Sequence, residues 1–233
     1  MLLLNIDTAT DYASICISNG TDIVAMEVSE EQKNHASFVQ PAIAGLLRKQ
    51  GIQLSGLDAV SVTIGPGSYT GLRVGLASAK GICYALNKPL ITVNTLLVMA
   101  RAALEDGALR QISLPAELVF CPLIDARRME VFTAAYDSRL SEIMAPQAMV
   151  LDALSFGSLY ENHRTVFSGN GHGKLQNLLA THPNVLYSPV QHHAGHLARQ
   201  AVLAYQSAHF ADLAYAEPLY VKEFFDTSKP KAG

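Results

Sequence analysis

The sequence predicts an α/β fold with mixed sheets flanked by helices, and three observations predict it. An antiparallel meander of strand patterns opens the chain. Strand and helix patterns then alternate. Finally, Ile64-Gly65-Pro66-Gly67-Ser68-Tyr69-Thr70-Gly71-Leu72-Arg73-Val74-Gly75 writes a strand end, a glycine turn and a helix start in succession. A chain of 233 residues suits one large domain or two modest ones. The periodicity breaks over Gly107–Pro115, which divides it into an N-terminal lobe, 1–106, and a C-terminal lobe, 107–233.

Leu2–Asp7 reads as a buried strand, Ala13–Ser18 as a second and Asp22–Val28 as a third, with Asn19-Gly20 as a two-residue hairpin turn. Asn34 can cap a helix over His35–Gln50 that Gly51 ends. Its apolar residues Phe38, Val39, Ala42, Ile43, Leu46 and Leu47 recur at helical spacing. Pro41 removes one backbone donor inside it, so a kink or one lost hydrogen bond is expected. A strand at Ala59–Ile64 leads through the glycine turn to a helix over Thr70–Leu86. Leu90–Val93 is the next strand and Thr95–Glu105 the next helix. In the second half, Glu117–Asp125 and Met129–Tyr136 pair across Ala126-Arg127-Arg128. Thr165–Ser168 is a short strand entering Gly169-Asn170-Gly171-His172-Gly173, with a helix to Ala180. Ala194–Ala208 is the last helix, and Lys229–Gly233 reads as a frayed tail. No internal repeat at fixed period is visible.

Composition narrows the function classes. Hydrophobic residues make up 49% and charged residues only 16%, so a large core is available and some apolar surface needs a partner to cover it. A net charge of −3 lacks the basic footprint of a protein that grips nucleic acid unaided. Cys16, Cys83 and Cys121 are odd in number, widely spaced and set in apolar surroundings, which reads as buried free thiols of a reducing, cytoplasmic compartment. Met1-Leu2-Leu3-Leu4 is too brief, and too soon interrupted by Asn5 and Asp7, to be a signal peptide. No run is long enough to span a membrane.

The glycine segment admits three uses. The first backbone N–H groups of a helix point outward and can bind an anion. Yet Ser68 follows Gly67, where the nucleoside-triphosphate loop places lysine. Gly71, Gly75, Ala79 and Cys83, four apart, form one bare helix face. That face can pack closely inside its own domain or seat a helix of another molecule. Three glycines in this helix, Gly71, Gly75 and Gly81, each cost about 0.8–1 kcal/mol relative to alanine and need packing in return. Asp7-Thr8-Ala9-Thr10 at the first strand's end can orient a metal-bound phosphate, or simply make an Asx or hydroxyl turn. His192 and His196 are four apart, a spacing zinc can use, but no acidic residue accompanies them, and a solvated helix end is expected. His172 reads as a surface-loop residue. No serine or cysteine carries the local signature of an activated nucleophile.

Taken together, Leu4-Asn5-Ile6-Asp7-Thr8-Ala9-Thr10, His35, and Gly65-Pro66-Gly67-Ser68-Tyr69-Thr70-Gly71-Leu72-Arg73 resemble the bacterial TsaB family, also called YeaZ. The resemblance continues through Asp125-Ala126-Arg127-Arg128-Met129-Glu130-Val131-Phe132, Gly169-Asn170-Gly171 and Glu217-Pro218-Leu219-Tyr220, spanning nearly the whole chain in order. It implies the two-lobed fold of actin, sugar kinases and Hsp70. It implies a part in forming threonylcarbamoyladenosine beside the anticodon of ANN-decoding tRNAs. In that family a larger paralogue, TsaD, performs the transfer from threonylcarbamoyl-adenylate and holds the metal. TsaB is its non-catalytic companion, pairing through the two N-terminal helices, and a small ATPase, TsaE, joins them. The paralogue's metal pair is two histidines four apart; here His35 is followed by Val39 at that distance.

The resemblance thus implies a docking face of His35, Phe38, Val39, Ala42, Leu46, Gly71, Val74, Gly75, Ser78, Ala79 and Ile82. It implies no catalytic or metal-binding residue, no cofactor held by this chain alone, and ATP or ADP at an interface shared with the partner. tRNA is met through the complex, and a homodimer covers the helices when the partner is missing. Replacing Gly75 by leucine is expected to break the heterodimer. The competing readings are an autonomous phosphotransferase using Asp7, Thr10 and the glycine loop around magnesium and ATP, and a metallopeptidase, whose ligands this chain does not group.

Overall fold

The computed structural model describes residues 1–29, 31, 34–110, 118–179 and 181–222. Its first sheet opens with β1 (Leu2–Asp7), β2 (Ser14–Asn19) and β3 (Asp22–Val28). The chain continues through α1 (His35–Gln50), β4 (Ala59–Gly65), α2 (Tyr69–Leu86), β5 (Leu90–Asn94) and α3 (Thr95–Leu104). After the short α4 (Gly107–Arg110) come β6 (Leu118–Asp125), β7 (Glu130–Tyr136), β8 (Glu142–Val150) and α5 (Gly157–Tyr160). The chain then forms β9 (Arg164–Ser168), α6 (His172–Gln176), β10 (Val185–Ser188) and α7 (Ala194–Gln206).

The strands make two sheets of one topology. The first runs β3-β2-β1-β4-β5 and the second β8-β7-β6-β9-β10. In each, the first strand is central, pairs antiparallel with the next strand in sequence and parallel with the fourth. The duplication escapes a search for sequence periodicity because the connections differ in length and content. The 16-residue α1 joins β3 to β4, whereas the four-residue α5 joins β8 to β9.

Alternation along β1 explains the layering. Successive strand residues point to opposite faces. Leu4 and Ile6 meet Val39, Ile43 and Leu46 of α1 and Leu76, Ala79 and Cys83 of α2. Leu3 points the other way, toward Leu197, Ala201 and Val202 of α7. On the second sheet, Phe120 and Val166 meet Leu96, Met99, Ala100 and Ala103 of α3. Val119, Cys121 and Phe167 face α5 and α6 instead, beside Phe156 and Leu175. Helices α3 and α7 therefore lie between the sheets, and the chain after β10 returns to the first sheet. Each fully buried leucine, isoleucine or phenylalanine contributes about 1.5–3 kcal/mol.

Several boundaries differ from the sequence expectation for local reasons. α2 begins at Tyr69, one residue early, because Ser68 caps it by accepting from the Gly71 N–H at 3.3 Å. Asn34 stands at the N-cap of α1 without a side-chain cap bond; its amide turns to Glu31 instead. α1 runs unbroken through Pro41. Gly51 ends it in the left-handed conformation, as glycine readily can. α6 stops at Gln176, and Ala180 lies outside the described residues, as does the tail Lys229–Gly233. β8, α5 and β10 have no counterpart in the sequence reading. No helix among the described residues is long and apolar enough to cross a membrane.

Candidate functional site

The glycine segment is occupied by its own chain. A Cβ at Gly67 would overlap the Ala9 carbonyl, and one at Gly71 would overlap the Thr8 carbonyl and come within 2.6 Å of the His35 ring. The Thr8 hydroxyl donates to the Gly71 carbonyl at 2.7 Å, and the Ser68 N–H donates to Ala9 O at 2.7 Å. Further donors are also taken, Gly65 N–H by Thr95 Oγ1 and Leu72 N–H by Ser68 O. These glycines let the β1–β2 turn rest on the first turn of α2. Gly65-Pro66 is a cis peptide.

This revises the expected docking face. Gly71, Gly75, Ala79 and Cys83 are buried inside the first lobe. Gly75 faces the Thr8 hydroxyl, Val62 and Ile6, so close packing within the lobe accounts for the small-residue stripe. His35, Val39, Ala42 and Leu46 are buried too. Of the residues named for docking, Phe38, Val74, Ser78 and Ile82 are only half-buried. Ser78 and Ile82 line a shallow groove with Gln40, Leu54, Ala77, Gly81, Ala85 and Leu86. Gly75→Leu would consequently damage the lobe itself and is not a clean test of docking. Tyr69, Thr70 and Arg73 are exposed at the start of α2, with the Arg73 guanidinium 4.2 Å above the Tyr69 ring. Pro66 is buried.

The strand ends gather the polar residues. Asp7, 1% exposed, closes β1. Its Oδ1 accepts from the Thr63 hydroxyl at 2.9 Å and from the Ala9 N–H at 3.3 Å, which is the Asx turn. Its Oδ2 lies 3.4 Å from His192 Nε2. Thr10 Oγ1 lies 3.5 Å from the same nitrogen. Because Asp7 and Thr10 meet one nitrogen of His192, they cannot form a nucleophile–base–acid relay, which needs both ring nitrogens. Beneath, Asn5 donates to Ser18 Oγ at 3.1 Å and accepts from Ser61 Oγ at 2.7 Å. His35 Nε2 donates to the Thr10 carbonyl at 2.7 Å, while its buried Nδ1 has no partner.

Beside this cluster opens a cavity of about 340 Å³, lined by Thr10 and Tyr12 from the first lobe and Gly169, Asn170 and His172 from the second, among others. Ser188–His192, the crossing to α7, closes it. Asn170 Oδ1 accepts from the Asp125 N–H at 2.9 Å, and the Asp125 carboxylate meets Lys174 Nζ at 2.7 Å. Partial burial alone would raise the Asp125 pKa; the Lys174 bond and charge and the Arg127 N–H outweigh it and lower the pKa.

The histidines are not a solvated helix end. His193 caps α7 through Nδ1, accepting from the Gly195 N–H at 3.1 Å, and stacks on His196 at 3.9 Å between centroids. Burial, followed by neighbouring cationic groups, lowers His196 to about 3; burial lowers His193 as well. His196 Nδ1 accepts from the His193 N–H at 3.2 Å. His172 is half-buried rather than free in a loop, with Nδ1 on Gly169 O at 2.6 Å. Among the described residues no group of three or more His, Cys, Asp or Glu could hold a metal. The three cysteines are buried and free. The sequence reading misses Thr63 and the partners of Asn170 and His192, because nothing local marks contacts between segments so far apart along the chain.

Two sheets of one topology, with helices between them and a cavity at their strand ends, define a duplicated α/β class. Within it, a profile of the family described as "TsaD: tRNA N6-adenosine threonylcarbamoyltransferase" matches residues 23–223. "tRNA threonylcarbamoyladenosine biosynthesis protein TsaB" of Bacillus subtilis is 30% identical over 71% of this chain and 69% of its own length. The Escherichia coli protein of that name is 34% identical over 58% of this chain and 55% of its own length. The match thus spans little more than half of the latter relative. The solved "YeaZ from Pseudomonas aeruginosa" shares the fold at a TM-score of 0.80, covering 94% of this chain and 99% of its own, with 22% identity. The chain belongs to the TsaB (YeaZ) family.

Proposed function

We propose that this chain is a non-catalytic subunit in the synthesis of threonylcarbamoyladenosine on tRNA, supporting a TsaD-type transferase. Family membership supports the pathway, since relatives carry it in their names. The observation that carries the accessory role is Val39. It stands four residues after His35, where a second metal-binding histidine would be needed, and it is 0% exposed in the apolar core. His35 itself is turned inward to Thr10.

The partner docks on the outer faces of α1 and α2, on Phe38, Val74, Ser78 and Ile82 and the groove around Gly81. The lining of this groove is mostly apolar and holds no charged side chain, as a face covered by a protein partner should be. TsaE joins the pair, tRNA and any ATP or ADP are met at surfaces shared with TsaD, and a homodimer covers the face in the partner's absence. The assembly is cytoplasmic.

Co-purification from the native cell followed by mass spectrometry tests this reading. TsaD is expected as the principal companion. Recovery of the chain alone, or with proteins unrelated to tRNA modification, would overturn it.

A further inference from the structure

The repeated topology gives the two lobes corresponding carboxylates. Asp7 is the last residue of β1, the central strand of the first sheet, and Asp125 is the last residue of β6, the central strand of the second. An acid at that place, with hydroxyls such as Thr8 and Thr10 beside it, is what a metal-bound phosphate would require. The residues present do not fit that use. Asp7 is 1% exposed, and both its oxygens are engaged, Oδ1 by Thr63 and Ala9 and Oδ2 by His192. Magnesium demands near-octahedral geometry and keeps several waters. No such shell fits around a carboxylate this enclosed. At Asp125 the corresponding place is taken by Lys174 Nζ at 2.7 Å.

We infer that His192 is a built-in replacement for a divalent cation at Asp7, so that the cleft of this chain is complete without metal. The crossing 189–193 carries the imidazole from the end of β10 to the first lobe, where its side chain is 7% exposed. The same contact joins the crossing to the core strand. Lys174 at Asp125 repeats the arrangement at the surface. The inference stands apart from the proposed pairing with TsaD, since it concerns the cleft of the single chain.

Manganese titration followed by electron paramagnetic resonance tests it on the intact chain. The unsubstituted protein should leave manganese free, whereas His192→Ala should take up about one equivalent, at least about tenfold more tightly. Adding Asp7→Asn to that variant should abolish the uptake. Stoichiometric uptake by the unsubstituted chain that Asp7→Asn removes would overturn the inference, as would a folded His192→Ala protein with no gain. Should His192→Ala fail to fold, the ring resonances of His192 in the unsubstituted chain decide. They should not move on adding millimolar magnesium, and displacement of the ring would sink the idea.

Discussion

Gly75 lies against the hydroxyl of Thr8, so closely that a methyl group at 75 would overlap it. Thr8 in turn donates to the Gly71 carbonyl, which fixes the first two turns of α2 to the end of β1. The stripe Gly71, Gly75, Ala79 and Cys83 is thus the inner face of a helix pressed on its own sheet.

The first prediction separates the two sides of that helix. Overpacking a core position costs typically about 1–3 kcal/mol and occasionally more. Gly75→Leu should therefore lower the urea midpoint of unfolding by at least about 2 kcal/mol equivalent, because backbone as well as side chains must move. Gly81 meets nothing within 4 Å. Gly81→Ala should raise stability by about 0.8–1 kcal/mol through helix propensity alone. Equal behaviour of the two sites in urea titrations would contradict the orientation of α2.

A second prediction uses the same contrast for docking. Gly81→Arg places a charge in the groove with Ser78 and Ile82 while leaving the core untouched. Its melting temperature should stay near that of the unsubstituted chain, and its retention of TsaD in a pull-down should fall at least about tenfold, about 1.4 kcal/mol. Undiminished retention would move the interface elsewhere.

Local chemistry explains how much is legible in the sequence. Leu2–Asp7, Asp22–Val28 and His35–Gln50 are readable as elements, because an apolar run and a 3.6-residue period are bounded by Asn19-Gly20 and Gly51. β8 is not, because Pro146 interrupts it and Ala and Gln dilute it. It is an edge strand, where proline is tolerated. The bare face of α2 is readable as a stripe but not as inward or outward, since small residues suit either use. The partnership of Asp7 with His192 joins residues at opposite ends of the chain and depends on α7 returning to the first sheet. No pattern within either segment announces it.

Stability should also depend on pH through α7. His196 has a folded pKa of about 3, below its unfolded value near 6.5, because burial disfavours the charged ring. Between these values the unfolded chain binds more protons, so stability rises with pH across the window and is lost as pH falls from about 6.5 toward 3. Carboxylates titrate in the lower half of the window, so the difference between proteins isolates the imidazole. His196→Gln should flatten the slope between about pH 6.5 and 5 in denaturant titrations. An unchanged slope would mean that the ring reaches water.

The thiols should be silent in the native state. Burial raises Cys16 to about 12 and Cys83 to about 11, and raises Cys121 as well. The thiolate is the reactive form, and at about pH 8 it amounts to roughly one part in ten thousand for Cys16 and one in a thousand for Cys83. Labelling with an aromatic disulfide reagent should follow the unfolding rate and reach three equivalents only in denaturant. Fast labelling of any one cysteine in buffer would show a local opening at that strand or helix.

The last prediction concerns the strap that follows α7. Ala211 N–H donates to Leu90 O at 2.8 Å, Leu219 N–H to Ile64 O at 2.7 Å, and Arg73 Nε to the Tyr220 hydroxyl at 3.2 Å. Lys222 Nζ reaches Glu130 of the second sheet at 2.6 Å. The backbone bonds lie against the sheet, whereas the Arg73–Tyr220 hydrogen bond is exposed and the Lys222–Glu130 ion pair works near water, where ion pairs are weak. The strap should therefore be held by its backbone seat at Gly65. That residue has φ +119°, and a Cβ there would stand 2.6 Å from the Leu219 carbonyl. Gly65→Ala should destabilise by about 2 kcal/mol or more, through a backbone conformation alanine resists and a contact it cannot accept. Proteolysis should then cut first between 207 and 222, as the strap lifts. Arg73→Met should leave both the midpoint and the cleavage pattern unchanged. If Arg73→Met frees the strap and Gly65→Ala does not, the charged surface contacts, and not the backbone seat, hold the lobes' common tail.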